Sequence, residues 1–270
     1  MAPTIQERLL RLVRSRIGTF DSLAVQWFGG EPLRSMVIIE ELSRELLAIA
    51  SSASASYAAT VITNGYLMTP AVSHKLVDLG VVAVQITLDG DRQLHDRTRR
   101  ERGGQGSFDV ILENIKNTPN EMAVTIRVHL APFNRASVIS LIDTLADSDI
   151  GSYIHAIYFA PLFNYRVGMT GNAYRPDGLR FTTSEKFAEM QTELLTIASA
   201  RGLPIRDFLD VSYGICTAVR SNTIVVDSEG RLTKCYKDVG VEEEAVGDVE
   251  GGVQASDNLD KWLSVDSARR

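Results

Sequence analysis

Hydrophobic residues recur along this chain in two rhythms that take turns. Runs of β-branched and aromatic residues of strand length occur at 23 to 28, 58 to 63, 81 to 87, 122 to 130 and 153 to 160. Between them, apolar positions fall three and four apart, as one buried face of a helix requires. Residues 5 to 17 place Leu9, Leu10, Leu12 and Val13 on one side, and residues 35 to 52 line up Val37, Ile38, Leu42, Leu46 and Leu47. Further helices are predicted at 70 to 79, opened by Pro70 and closed before Gly80, at 107 to 117 behind a Ser107 cap, and at 135 to 147. Another, of about 18 residues, runs from a Thr183 cap to just before Gly202. Strand, loop and helix in repeated order predict a parallel α/β fold, because parallel neighbours need a crossover between them. Residues 89 to 106 read as a long polar loop and 161 to 183 as an irregular insertion. Beyond them, 223 to 226 and 232 to 235 flank the turn Asp227 to Gly230 as a hairpin, followed by an acidic, weakly structured tail.

Within the strands a period of two separates chemistry from packing. Thr125, Arg127 and His129 share one face, with Val124, Ile126, Val128 and Leu130 on the other. Gln26, Gln85 and Thr87 repeat the pattern, and His155 joins them if the next strand keeps register. A parallel sheet covered on both faces has no use for such a row, whereas a barrel with a polar lumen has. Two readings stand open: a working lumen, or a buried network whose members satisfy one another.

Composition narrows the field. With 44% hydrophobic residues and 270 positions the chain can bury a substantial core, and a net charge of −6 gives no global attraction to nucleic acid. No apolar stretch approaches the roughly 20 residues of a membrane span, and the arginine-bearing N-terminus is no secretion signal, so a cytoplasmic protein without a membrane partner is expected. Two cysteines, Cys216 and Cys235, make no secreted disulfide framework. The basic cluster Arg97 to Arg102 reads as a solvated loop or as a contact for an acidic or peptide partner.

Three strand ends carry glycine beside a polar or acidic residue: Gly29-Gly30-Glu31-Pro32, Thr63-Asn64-Gly65 and Thr87-Leu88-Asp89-Gly90, the last followed by His95-Asp96 and Arg99. Alone, each is an ordinary turn. In this order, and continued by Gly106-Ser107-Phe108-Asp109, Cys216, Lys234-Cys235-Tyr236 and Gly247-Asp248, the chain resembles radical S-adenosylmethionine (SAM) enzymes with a SPASM-type C-terminal region, which modify peptides or proteins. The resemblance implies an α/β, partial (β/α)6 TIM-like barrel lacking its first strand over 1–205 and a truncated SPASM-like region with a small β-hairpin over 206–270. It also implies SAM as cofactor, with Gly29 and Gly30 letting the backbone approach it, a strand-end carbonyl or the Glu31 carboxylate accepting from its amino group, Asn64 in a wall of its pocket, Thr87 near it, and Arg99 pairing with its carboxylate through a guanidinium fork. His95 and Asp96 brace their loop or transfer protons; no nucleophile stands beside them.

By the same resemblance Cys216 and Cys235 are metal ligands of an auxiliary 4Fe-4S cluster, although such clusters generally take four thiolates. The 4Fe-4S cluster that reduces SAM would sit in a CxxxCxxC loop, and the sequence contains none. The chain is therefore expected to be cut at both ends and inactive as it stands. Implied partners are a ribosomally made peptide or a protein substrate and an electron donor such as flavodoxin or ferredoxin. Tyr236 stands where sulfatase-maturating relatives carry an Asp base, which argues against that substrate class. Two other classes remain open: a non-catalytic peptide-binding relative, and an ordinary barrel lyase or isomerase working with Arg127, His129 and His155 on a small anion.

Overall fold

The computed structural model describes residues 1–99, 103–162, 184–205 and 216–267. The expected irregular insertion at 161 to 183 lies almost wholly outside them. The described residues of Met1–Leu23, Glu40–Tyr57 and Phe208–Arg270 form one compact unit, and those of Ala24–Ile39 and Ala58–Asp207 a second.

The larger sheet has five strands in the order β1 (Ser22–Trp27), β2 (Ser56–Thr63), β3 (Val81–Thr87), β4 (Ala123–Leu130) and β5 (Ala156–Pro161). Pairing from β2 to β5 is parallel throughout. The connections are helical, as predicted: α2 (Met36–Ser52), α3 (Pro70–Asp78), α5 (Phe108–Lys116) and α6 (Arg135–Asp147), with α7 (Ser184–Ala200) after β5. One sheet face is a dry core of Val61, Ile86, Ile126, Val128, Ile157 and Phe159, none reaching 1% exposure. Helices α3, α6 and α7 touch β3, β4 and β5 respectively. Each such side chain removed from water contributes about 1.5–3 kcal/mol. The other face alternates with it as partly exposed polar positions, most regularly along β4, where every second residue from Thr125 to His129 is only half-buried.

Two expectations require correction here. The segment predicted as one polar loop contains α4 (Arg92–Thr98), because Asp91 accepts the Leu94 amide at 2.9 Å as an N-cap and His95 is fully buried beneath the turn. His155 does not join the polar row: β5 starts at Ala156, paired with Thr125, so His155 lies one residue out of phase and is exposed. Tyr158, opposite Arg127, takes the place in the row.

In the first unit α1 (Pro3–Arg16) lays Ile5, Leu9 and Leu12 against Leu232, Val246 and Val249. The C-terminal segment holds an antiparallel sheet of β6 (Val225–Val226), β7 (Arg231–Thr233), β8 (Gly247–Asp248) and β9 (Gly252–Val253), then α8 (Asp257–Ser267). The hairpin is as expected. The tail after it is more structured than its acidic composition suggested, because backbone pairing at β8 and β9 depends on glycine conformation rather than on apolar content.

Candidate functional site

The loops that follow β1, β2 and β3 lie at the carboxyl end of the sheet, and hydrogen bonds join the first to the second. Glu31 Oε1 accepts from the Leu33 amide (3.0 Å) and from the Thr63 hydroxyl (2.8 Å), while Oε2 accepts from the Asn64 amide (2.8 Å). One carboxylate therefore ties the first loop to the second. Asn64 turns its side chain inward, its Oδ1 accepting from the Tyr66 amide at 2.9 Å. From α5, Asn114 donates to the carbonyls of Gly65 (2.9 Å) and Tyr66 (3.0 Å), and Gly65 packs directly over Ile86 of β3. Gly29 and Gly30, by contrast, face open space: a Cβ at either position would meet nothing within 4 Å.

The third loop is organised by Asp89. Its Oδ1 accepts from His129 Nδ1 at 2.8 Å and its Oδ2 from Arg99 Nε at 2.5 Å, while its carbonyl accepts from Asn134 Nδ2 at 3.3 Å. Burial by itself would raise the Asp89 pKa. The His129 hydrogen bond, then the charges of Arg99 and His129, outweigh burial and hold the carboxyl well below the usual carboxylate range. Arg99 thus reaches the site already paired through Nε, and its two terminal nitrogens make no hydrogen bond among the described residues. Thr87, nearly buried, ends β3 opposite Arg127.

His95 and Asp96 both brace this loop. Asp96 Oδ1 accepts from the amides of Ser107 (2.8 Å) and Phe108 (2.9 Å), so the start of α5 is capped from eleven residues away. The expected Ser107 cap makes no such bond. Its hydroxyl instead sits 3.1 Å from His95 Nε2 and donates to the Arg99 carbonyl at 3.0 Å. Gly106 is required here, because a Cβ would lie 2.2 Å from Asp96 Oδ2. Burial, and next the Arg99 charge, push the His95 pKa down to about 4, so its imidazole is neutral near neutral pH.

Of the residues expected from sequence, Gly29, Gly30, Glu31, Asn64, Thr87 and Arg99 occupy these three neighbouring loops. Sequence reasoning missed Asp89, Asn114 and Asn134; only Asp89, lying within Thr87 to Gly90, carried a signal. Arg127 and His129 share the polar face, but His155 lies near the opposite end of the sheet. There it lines a cavity of about 290 Å³ with Val82 and Tyr153, which takes apart the constellation an ordinary lyase would need. Cys216 and Cys235 belong to the first unit, Cys216 exposed and Cys235 half-buried. Burial pushes the Cys235 thiol up. No group of three or more potential metal-binding side chains occurs among the described residues. No helix among them is long and apolar enough to cross a membrane.

Comparison with known proteins places this geometry in context. The pattern of the radical SAM superfamily matches residues 3–145. The Fe-coproporphyrin III synthase of Methanosarcina barkeri is 27% identical over 146 residues, covering 53% of this chain and 34% of that protein, so the chain spans about a third of the relative's length. Among solved structures, native anSMEcpe with bound AdoMet matches at TM-score 0.73 and 14% identity, over 98% of this chain and 74% of that one. Its form with AdoMet and the Kp18Cys peptide gives 0.71 at 14% identity, over 98% and 75%. SuiB of Streptococcus suis gives 0.60 at 17% identity, over 96% and 59%. At these identities the likeness is one of fold, and the parallel sheet is that of their partial barrels.

Proposed function

Because the chain belongs to the radical SAM superfamily, we propose that its three adjoining loops hold S-adenosylmethionine at the rim of the sheet, beside a groove that receives a peptide or protein. The observation that carries this reading is the hydrogen-bonded contact of the first two loops, which Glu31 locks together beneath the open space over Gly29 and Gly30. Those glycines and the strand-end carbonyls would take the methionine amino group. The free terminal nitrogens of Arg99, held in place by Asp89, would pair with the methionine carboxylate. Asn64 and Thr87 would flank the nucleoside. In this superfamily hydrogen abstraction follows reductive cleavage of SAM by a 4Fe-4S cluster; the part of the residues named here would be to orient SAM and the substrate and to exclude water.

The residues present do not fit the iron-sulfur cluster. Its CxxxCxxC motif is not among the 270 residues, whose two cysteines are Cys216 and Cys235, and two thiolates do not complete an auxiliary cluster either. The role assigned to these residues is therefore the binding of SAM. The peptide-bound relatives support a peptide as the second ligand, of the kind matured after ribosomal synthesis.

Isothermal titration of the purified chain with SAM tests the proposal. One site with a Kd of about 10–100 μM is expected, weakened about tenfold or more by Arg99→Gln, which removes a bidentate carboxylate partner. Absence of SAM binding, or binding indifferent to Arg99, contradicts it.

A further inference from the structure

We infer that the polar face beneath the rim holds a carboxylate-binding site for the substrate, built from Arg127, Gln85 and Tyr158; this rests on the peptide reading above. The three belong to adjacent strands. Arg127 of β4 lies opposite Tyr158 of β5, and Gln85 of β3 lies opposite Thr125, one alternation deeper than Arg127. The Tyr158 hydroxyl reaches across β4 and donates to Gln85 Oε1 at 2.6 Å. That bond uses the only acceptor of the carboxamide and leaves Gln85 Nε2 as a donor without a partner. Arg127 Nε is likewise buried without a partner.

Arg127 makes no ion pair among the described residues; Asp89, at this end of the sheet, is already engaged by His129 and Arg99, and Glu31 by Leu33, Thr63 and Asn64. Two unanswered donors, one on a cation, are costly inside a fold unless an acceptor arrives. Water could answer one neutral amide. A guanidinium edge beside an amide matches the two oxygens of a carboxylate, since the Nε edge of arginine binds such groups in parallel. The site lies below the loops assigned to SAM, so the carboxylate is that of the second ligand, whether an Asp or Glu side chain or a chain terminus.

Saturation-transfer NMR on the purified chain tests this with two probe pairs. N-acetylglutamate N-methylamide and its glutamine counterpart report a side-chain source; N-acetylalanine and N-acetylalaninamide report a terminal one. In one pair the acid should bind about tenfold more tightly than its neutral partner. Arg127→Gln should erase that preference, Arg127→Lys should retain part of it, and SAM affinity should change less than about twofold in both. Arg127→Gln removes an unpaired cation, so its thermal midpoint should be unchanged or raised. Equal binding within both pairs, a preference that survives Arg127→Gln, or displacement of the acidic probe by SAM together with loss of SAM affinity in Arg127→Gln would each overturn the site. Loss of SAM binding in the unaltered chain with the acid preference intact would instead sink the cofactor assignment and leave this site standing.

Discussion

At the scale of single residues, Asp89 is the pivot of the rim, because one carboxylate orients both Arg99 and His129. Replacing it with Asn removes the charge between them and should cost about 3 kcal/mol in urea unfolding at pH 7. Its pKa is lower folded than unfolded, so the stabilisation is complete above the ordinary carboxylate value near 4 and fades only as pH falls below it. His95 acts over a higher pH range. Its folded value of about 4 lies below the unfolded 6.5, so the unfolded chain takes up the proton first, and stability declines on acidification between those values. The total effect is about 3 kcal/mol, and in His95→Asn the urea midpoint should lose that part of its pH dependence. The neutral ring has a geometric basis as well: Nδ1 faces the Asp89 amide, a donor, at 3.4 Å, so a proton on Nδ1 would set two N–H groups against each other.

At the scale of elements, two loops and one helix are held by single carboxylates acting across the sequence. Asp96 caps α5 on two amides, and Asp96→Asn should lower stability by about 1–2 kcal/mol while slackening the Arg99 turn. Amide hydrogen exchange at Ser107 and Phe108 would report it. These links explain how much was legible beforehand. The strands and helices follow from local period, and Glu31 and Arg99 from motifs. The Asp96 cap, the Asn114 clamp on Gly65 and the choice of Tyr158 over His155 depend on tertiary partners or on where a strand begins. A displacement of one residue in β5 exchanged its faces, and no local pattern records such a displacement. Ser107 was a sound local cap whose hydroxyl the buried His95 and the Arg99 carbonyl claim instead.

For the molecule as a whole, the sheet separates two tasks: an apolar face that is all packing, and a polar face with its rim that holds every candidate group of the site. Gln85, Arg127 and Tyr158 stand on the partly exposed face, and the substrate site proposed above accounts for the two buried donors left there without a partner. The first unit stands on its own core of α1 against the C-terminal sheet, and within it Lys234 is buried with its ammonium donating to the carbonyls of Arg220 (2.6 Å) and Thr223 (2.5 Å). Among the described residues no carboxylate pairs with that cation, and burial lowers its pKa. Lys234→Met should therefore cost less than the loss of an ion pair, under about 2 kcal/mol by urea unfolding, and leave SAM affinity unchanged. The central claim is that the loops at 29–31, 63–65 and 87–99 enclose one SAM molecule. A diffraction structure of the chain soaked in SAM tests it most directly. The account predicts density over Gly29 and Gly30 with the methionine carboxylate against Arg99; SAM bound elsewhere, or that space left vacant at saturation, would contradict it.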